Sequence, residues 1–433
     1  MIQRTTPDDV LNLATDSATA PMQVGAVLLL DSGPGFDPTA ARDALARRIS
    51  TVPRMRQRLM RAPFGCGRPI WVDDSRFDPA NHIRVERCPA PGDRAAMLAI
   101  AASLIERRLD RTRPLWSATF VTGLASGQTA LIVLFHHVMA DGIGGLAVLA
   151  NLVDGAAAVA PPPDVWPIRP APGASALLVD AWRERVRVLL DWPGLRRRLR
   201  ATIAEIGPAR RNPAPRTSLN QPIGPRRRFE VVQVDLEPVH AAARSHGATV
   251  NDLVLAAVAP ALRDLLNSRG ESADHFVVSV PVARRTEVTA SELGNDVGVA
   301  PMVVSADDRP SERLEATAAM SSHLKQVPRE GDLFAPFARA LGRLHLIRPF
   351  LDRQHMINTL VTNLRGPSER LSFLGAPISE AIAISVVTGN VTVAFAVLSY
   401  AGTLTITLIA DPDTCPDLPL LRDAVARHLA ELS

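Results

Sequence analysis

The chain has 433 residues, 47% of them hydrophobic, and a formal net charge of +4. This length exceeds one ordinary domain and this hydrophobic content excludes a disordered chain, so we expect two well-packed lobes. Three scattered cysteines lack metal-ligand spacing and fit a reducing compartment. The first residues show no charged stretch followed by an apolar one, as a secretory signal would. We therefore expect a cytoplasmic protein.

The strongest pattern in the first half is an apolar run, Thr129–Phe135, which predicts a buried strand. His136 and His137 end this run, and the pair Asp141-Gly142 follows shortly after. Helix spacing then resumes over 143–155. Successive side chains of a strand point to opposite faces, so we expect one histidine, and not both, to face a given cleft.

The middle of the chain is rich in proline and arginine. Six prolines within 161–172 predict a stiff, extended linker. Between Arg183 and Arg228, thirteen arginines stand against three acidic residues, a local net charge of +10. Residues 174–211 combine these arginines with apolar residues at helix spacing, which predicts basic amphipathic helices, the first of them over Ala174–Leu190. Such helices either lie on an anionic membrane surface or form a solvated face between lobes. Because no recognised nucleic-acid-binding motif accompanies them, we expect no nucleic-acid partner.

A second series of elements follows in the last part of the chain. The pattern predicts a strand over 229–236, a helix over 250–266, a strand over 275–280 and a helix over 312–326. Residues 381–410 carry no charge and are long enough for a membrane span. Their β-branched residues and two turn signals predict three consecutive strands of a buried sheet instead. Strands and helices alternate in both halves, so the fold class is α/β or α+β.

Several further segments match, in one order from about residue 5 to 430, the motifs of a known enzyme family. They are Thr19–Gly25, Pro69–Asp74, Phe77–His82, Asp110–Trp116, Asn251-Asp252, Val361–Pro367 and Leu398–Gly402. Together with the pattern His-His-x-x-x-Asp-Gly at 136–142, they resemble the bacterial wax ester synthase/diacylglycerol acyltransferase family. That family belongs to the wider group of CoA-dependent acyltransferases.

The resemblance implies two lobes of the chloramphenicol-acetyltransferase type with a tunnel between them. We divide the chain into an N-terminal acyltransferase lobe with the histidine motif (1–160), a Pro/Arg-rich linker with basic amphipathic helices (161–227) and a C-terminal acyltransferase lobe (228–433). The implied activity is transfer of a fatty acyl group from acyl-CoA to diacylglycerol or a long-chain alcohol, giving triacylglycerol or wax ester. Acyl-CoA is then a co-substrate, and we expect no other cofactor. The implied lipid acceptor favours peripheral contact of residues 174–211 with the inner membrane or lipid droplets.

Acyl transfer to a hydroxyl group needs a base, and histidine titrates near the working pH. The resemblance places this base at His137 and leaves His136 a structural or supporting role. The alternative for His137 is a hydrogen-bonded core histidine. Metal binding by the two histidines and Asp141 is disfavoured because adjacent histidines of a strand diverge and no further ligand cluster is visible. We therefore expect no metal site.

The resemblance also implies that Asp141 has a structural role and fixes the corner by pairing with an arginine of the second lobe. Arg285 is the first candidate for that partner and Arg284 the next. Asp141 is also placed to cap the helix that follows it. Gly142 permits either an unusual backbone conformation or a close approach that a side chain would block.

Asn251 stands where a helix N-cap would, whereas the family's Asn-Asp pair implies a place at the tunnel. Thr362 and Asn363 are candidate donors to the oxyanion of the tetrahedral intermediate. Leu364-Arg365 departs from the family's Val-Pro at this point, so the loop is expected to run differently.

Pro114, Leu115 and Trp116 form the family's Pro-Leu-Trp motif. Leucine and tryptophan have no acid–base function, so these residues are expected to line the tunnel or pack the fold. Two rival functions stay open. One is the same chemistry on another hydroxyl or amine acceptor, and the other is a catalytically silent, lipid-binding member of the family.

Overall fold

The computed structural model describes residues 2–33, 35–139, 142–155, 168–191, 193–194, 196, 213–283, 297–306, 309–326 and 346–433. The elements before residue 200 are α1 (Pro7–Thr15), β1 (Gln23–Leu30), α2 (Pro38–Ser50), β2 (Gln57–Met60), β3 (Ile70–Asp73), β4 (Ile83–Arg87), α3 (Arg94–Ile105), β5 (Trp116–Thr122), β6 (Thr129–His136), α4 (Gly142–Leu152) and α5 (Ala174–Leu190).

The elements after residue 200 are β7 (Arg228–Asp235), α6 (Leu236–Ser245), α7 (Val250–Ser268), β8 (His275–Ala283), β9 (Val297–Ser305), α8 (Pro310–Gln326), α9 (Ile347–Leu351), β10 (Thr359–Arg365), β11 (Ser372–Phe373), β12 (Ala376–Ile384), β13 (Val393–Tyr400), β14 (Thr403–Ala410) and α10 (Leu418–Leu432). The described strands form two six-stranded sheets and a two-stranded one. Both large sheets contain parallel and antiparallel pairs, which confirms the predicted mixture of helices and strands.

The first large sheet has the strand order β11-β12-β1-β6-β5-β4. Strand β6 lies in its centre, and every residue of β6 is buried. Neighbouring strand β1 runs antiparallel to β6 and places Gln23 opposite His136. The uncharged run of β6 is therefore covered on both faces, as its continuous apolar sequence predicts. Its last residue, His136, stands at the end of the sheet with strands on either side.

Strands β11 and β12 come from the second half of the chain but belong to the first sheet. The prediction that 381–410 forms three strands is confirmed, but the prediction that they share one sheet is wrong. Strand β12 pairs with β1, whereas β13 and β14 form a hairpin in the second sheet. The hairpin turn holds Ala401 and Gly402 at φ 46° and 84°, the conformation of a tight two-residue connection. The longer connection from β12 to β13 crosses between sheets.

The second large sheet has the order β7-β14-β13-β10-β8-β9. The alternating residues of β13 show how it joins the two lobes. Ala394, Ala396 and Leu398 pack into the core around the first sheet. Val393, Phe395 and Val397 face the opposite way, into a second core that includes residues of α7 and α10. One face of the second sheet is thus covered by helices, and the other packs against the first lobe.

Helix α5 has the predicted bounds of the first basic amphipathic segment. The prolines at 161–167 and the arginines from 197 to 211 lie outside the described residues. Within the part of the chain that the structure describes, none of the helices is long and apolar enough to cross a membrane.

Candidate active site

The two histidines stand at a corner that follows the last residue of β6. His136 is the final residue of the strand, and His137 lies in the turn after it. The backbone N–H of His136 donates to the carbonyl of Leu115 at 2.9 Å. The backbone N–H of His137 donates to the carbonyl of Met22 at 2.8 Å. Segments next to β5 and β1 therefore fix the backbone of this corner from both sides.

The His136 ring is buried, with a hydrogen bond at Nδ1 and a longer ionic contact at Nε2. Its Nδ1 accepts a hydrogen bond from the backbone N–H of Val138 at 3.0 Å, so the proton of the neutral ring lies on Nε2. That Nε2 faces the Oδ2 atom of Asp16 at 3.6 Å. These contacts fix the orientation of the His136 ring.

Asp16 is a buried carboxylate, 3% exposed, in the middle of an ionic cluster. Besides His136, it contacts the guanidinium groups of Arg108 at 2.7 Å and Arg111 at 2.5 Å, and it accepts from the N–H of Met22 at 3.1 Å. Burial alone raises the pKa of Asp16, but the bonds from His136 and Arg108 outweigh it and hold that pKa well below its usual value. Asp16 is therefore charged at neutral pH. Its partners Arg108 and Arg111 are partly exposed.

His137 is half-buried, in contrast to its neighbour. Its Nδ1 lies 3.5 Å from the amide nitrogen Nδ2 of Asn12 on α1. The amide oxygen and nitrogen of asparagine can exchange places without other change. In the flipped orientation, with the oxygen towards the ring, Asn12 accepts a hydrogen bond from Nδ1–H and the basic lone pair of neutral His137 lies on Nε2.

Gly142 makes the contact between this corner and the second lobe. A Cβ atom built on Gly142 would lie 2.5 Å from Cδ2 of Leu364 on β10. The φ angle of Gly142 lies outside the left-handed region, so close approach, and not an unusual conformation, explains the glycine. Asp141, Arg284 and Arg285 lie outside the described residues, so the predicted pairing between them stays a prediction.

Pro114, Leu115 and Trp116 are buried beside the histidine corner. The Trp116 indole N–H donates to the carbonyl of Met55 at 2.8 Å, and its ring stacks on His82 with 4.5 Å between centroids. Leu115 provides the carbonyl that holds His136. Of the two roles expected for this motif, packing of the fold is the one that fits these contacts.

A cavity of about 1190 Å³ lies at one end of the second sheet. Asn251 and Asn363 both line it, so the structure brings two of the predicted residues together. The N-cap of α7 is Thr249, whose hydroxyl accepts from the N–H of Asp252, so the N-cap prediction for Asn251 is wrong. Asn251 is the second residue of the helix, and it lines the cavity.

Thr362 and Asn363 face opposite sides of β10. The Thr362 hydroxyl donates to the carbonyl of Phe395 at 3.4 Å, while Asn363 lines the cavity. Strand alternation explains this, because neighbouring residues of a strand point to opposite faces. Every described residue that lines the cavity comes from the second lobe, so a tunnel between the lobes stays a prediction.

Asp16 and Asn12 were not predicted from the sequence. Both lie more than a hundred residues before the histidines, and neither forms a recognisable motif with them. Only the antiparallel pairing of β1 with β6 brings the end of α1 next to the corner. Among the described residues, no three His, Cys, Asp or Glu side chains form a group that could hold a metal ion.

Two family models match the chain in sequence order. The model of the wax ester synthase/diacylglycerol acyltransferase catalytic domain matches residues 6–254, and that of the WS/DGAT C-terminal domain matches residues 293–433. A Mycobacterium tuberculosis protein named "Probable diacyglycerol O-acyltransferase tgs1" is 30% identical over 428 residues, covering 94% of this chain and 91% of its own.

Solved structures show the same architecture. The wax ester synthase/diacylglycerol acyltransferase from Marinobacter aquaeolei VT8 superposes with a TM-score of 0.70 at 25% identity, covering 99% of this chain and 98% of its own. The first condensation domain of the calcium-dependent antibiotic synthetase has a TM-score of 0.66 at 17% identity, over 100% of this chain and 96% of its own, and shows the fold alone. The family models and the curated relative identify an acyltransferase. The chain belongs to the wax ester synthase/diacylglycerol acyltransferase family.

Proposed function

We propose that this protein transfers a fatty acyl group from acyl-CoA to the hydroxyl group of diacylglycerol or a long-chain alcohol, with His137 as the general base. The observation that supports this is the difference in burial and contacts between the two histidines. His136 is buried, hydrogen-bonded to Val138 and in ionic contact with Asp16, whereas His137 is half-buried, next in sequence and held by its backbone. The chain also belongs to the wax ester synthase/diacylglycerol acyltransferase family, whose two models match residues 6–254 and 293–433.

In the proposed reaction, Nε2 of His137 takes the proton of the acceptor hydroxyl as its oxygen attacks the thioester carbonyl. The carbonyl becomes a tetrahedral oxyanion, which then collapses, breaks the carbon–sulfur bond and expels the CoA thiolate. His137 returns the proton to that thiolate, so the base is regenerated. None of the family motifs contains a cysteine, which favours direct transfer without an acyl-enzyme.

The supporting residues have separate tasks in this proposal. Asn363 is the candidate oxyanion donor on the cavity side of β10, and Asn251 contacts substrate from the start of α7. Leu364 packs against Gly142 and so sets the distance between β10 and the histidine corner. Asp141 fixes the corner through Arg285, or through Arg284, from the second lobe.

The test uses purified protein and measures release of free thiol from palmitoyl-CoA, with dipalmitoylglycerol or hexadecanol as acceptor. We expect turnover with at least one acceptor, and a loss of about 100-fold or more in kcat for His137→Ala. His323→Ala, which changes an exposed histidine of α8, is the matched control and should retain wild-type activity.

Three results would contradict parts of this proposal. Wild type without turnover on either lipid acceptor, but active on another hydroxyl or an amine, would support the rival acceptor class. Lipid binding without turnover on any acceptor would support a silent member. Equal kcat for wild type and His137→Ala would exclude His137 as the base.

Contact with a lipid surface is the second part of the proposal, and the two faces of α5 support it. The inner face is fixed to the first lobe, because Arg4 contacts Asp180 at 2.6 Å and the carbonyl of Leu177 at 3.0 Å. The outer face exposes Val179, Trp182 (57% exposed) and other apolar residues of the helix, which are Leu178, Val186 and Leu190.

The surroundings of this outer face match an anionic lipid interface. Arg183 and Arg187 flank the apolar residues. Phe64 is fully exposed on the neighbouring loop, where Arg185 donates to the carbonyl of Gly65 at 2.8 Å. An apolar face with an exposed tryptophan and flanking arginines is typical of helices that lie in the lipid interface. Residues 174–190 are therefore the described part of the proposed membrane or lipid-droplet contact.

Vesicle sedimentation tests this part. The double variant Trp182→Ser/Val186→Ser should bind vesicles with 30% phosphatidylglycerol about tenfold more weakly than wild type, because it removes two apolar side chains from the interface. Leu420→Ser, which changes an exposed leucine of α10, is the control. Equal binding by all three proteins would exclude α5 as the contact surface.

A further inference from the structure

One face of helix α1 lies against the histidine corner. Asn12 and Asp16 are four residues apart, one turn of a helix, and so share that face. Asp16 contacts Nε2 of His136 at 3.6 Å, and the side-chain amide of Asn12 lies 3.5 Å from Nδ1 of His137. Successive turns of α1 therefore contact successive histidines. The first contact concerns the buried ring and the second concerns the ring that we propose as the base.

Helix α1 is fixed at both ends, which defines where Asn12 stands. At the start, Thr6 and Asp9 form a capping box, with bonds of 2.7 Å and 3.1 Å between the backbone N–H of each residue and the side chain of the other. At the end, Asp16 pairs with Arg108 at 2.7 Å. Asn12 lies between these two points. The position of its amide therefore depends on its own short side chain and not on movement of the helix.

The position of α1 also decides which nitrogen atom of His137 is able to act on a substrate. Nδ1 faces Asn12, whereas Nε2 points away from that helix. A neutral imidazole carries its proton on one nitrogen and its basic lone pair on the other. His137 is therefore a base through Nε2 only when its proton is on Nδ1. A group that accepts a hydrogen bond from Nδ1–H selects that form of the ring.

We propose that Asn12 is a positioning residue for the base, and that its amide oxygen accepts a hydrogen bond from Nδ1–H of His137. This rests on the proposed function, because the need for a basic Nε2 selects the amide orientation with oxygen towards the ring. Nδ1 stays protonated when Nε2 takes the proton of the acceptor hydroxyl. The bond is then charge-assisted and stronger. Asn12 thus stabilises the form of His137 that develops in the transition state.

The two adjacent histidines then hold opposite tautomers. His136 is fixed as the Nε2–H form, because its Nδ1 accepts from the backbone N–H of Val138, a group that only donates. His137 is fixed as the Nδ1–H form by Asn12. The histidine that carries out the reaction and the one that supports the corner therefore differ in tautomer as well as in burial.

Nitrogen NMR of the wild-type protein with labelled histidines tests the proposal without relying on turnover. At about pH 8, where neutral rings predominate, the spectrum distinguishes the protonated ring nitrogen from the other. His136→Gln and His137→Gln each remove one set of signals and so assign the two rings. We expect Nε2–H for His136 and Nδ1–H for His137. A neutral His137 with its proton on Nε2 would overturn the proposal.

Two variants of residue 12 separate the role of the acceptor from that of shape, with palmitoyl-CoA and hexadecanol as substrates. Asn12→Leu keeps the volume but removes the acceptor, so kcat should fall about tenfold while KM stays within about twofold. Its His137 signals should no longer show a single Nδ1–H form. Asn12→Asp keeps an acceptor, so it should retain the Nδ1–H form and a kcat within about threefold of wild type at about pH 8. Asn267→Leu, which changes an exposed asparagine of α7, is the matched control.

The kinetic outcomes divide in the same way. Equal kcat for wild type and Asn12→Leu would contradict a positioning role, and an equal loss in Asn12→Leu and Asn12→Asp would contradict an acceptor role. A loss in Asn12→Leu that Asn12→Asp largely avoids supports the proposal. Absence of turnover with every acceptor would contradict the proposed reaction instead, and the tautomer of His137 in wild type would still decide the role of Asn12.

Discussion

The histidine corner and the second-lobe cavity use the same kind of ionic contact in opposite surroundings. At the corner, Asp16 is 3% exposed and pairs with Arg108 and Arg111. At the cavity, Glu237 and Arg244 are 79% and 71% exposed. A buried carboxylate that loses its partners is costly, whereas an exposed pair contributes little. The corner therefore uses buried ionic contacts to fix the position of a ring, whereas the exposed pair at the cavity contributes little to stability.

Removal of the buried carboxylate should have the largest effect on stability. We expect Asp16→Ala to lower the free energy of unfolding by about 3 kcal/mol, because His136 and two arginines lose their common partner. Glu237→Ala, which removes the exposed acid at the cavity, should change it by less than about 0.5 kcal/mol. Urea unfolding of the two variants measures the difference, and equal losses would show that burial does not distinguish the two regions.

The contact between the lobes should give the next largest effect. Gly142→Val forces a side chain into the space that Leu364 occupies, so we expect kcat to fall about tenfold as β10 moves away from the corner. The double variant Gly142→Val/Leu364→Ala should recover much of this loss, because alanine vacates the space. Gly35→Val changes a glycine with open space around it and serves as control. A double variant no more active than Gly142→Val would exclude this steric contact as the cause.

Local patterns predicted the elements around these regions well. The apolar run of β6, the helix after Gly142 and the bounds of α5 follow from periodicity, because each is decided by residues close in sequence. The N-cap of α7 could also have been predicted from the sequence, since Thr249 and Asp252 have the spacing of a capping box. The N-cap prediction for Asn251 is wrong because Thr249, two residues earlier, occupies that position.

The pairing of strands that lie far apart in the sequence could not be predicted from local patterns. Strand β12 looks like its neighbours β13 and β14 in composition, yet it pairs with β1 in the other sheet. Asp16 becomes a partner of His136 only because β1 lies beside β6. No spacing rule connects residues this far apart. The sequence therefore predicted which residues form the corner, but not which residues hold it.

The pH dependence of stability should show the smallest of the three effects. Its comparison between wild type and Asp16→Asn reports on the charge of Asp16 alone. Its folded-state pKa is lowered, so its stabilising contribution is complete above the unfolded pKa of about 3.9, declines as the pH falls below that value, and is lost below the folded pKa. Asp16→Asn has no such group. The stability of wild type relative to Asp16→Asn should therefore fall by about 1 kcal/mol between about pH 6 and pH 3.

Urea unfolding of both proteins across that range measures this change. Other carboxylates titrate in both proteins alike, so the difference between the two curves reports on residue 16. A difference that is constant with pH would mean that Asp16 acts at the corner by shape and hydrogen bonding, without a contribution from its charge. A difference that grows as the pH falls would contradict a lowered pKa, because a raised pKa reverses the sign of the dependence. The buried contacts at the corner and the exposed pair at the cavity would then no longer differ in the way that their burial implies.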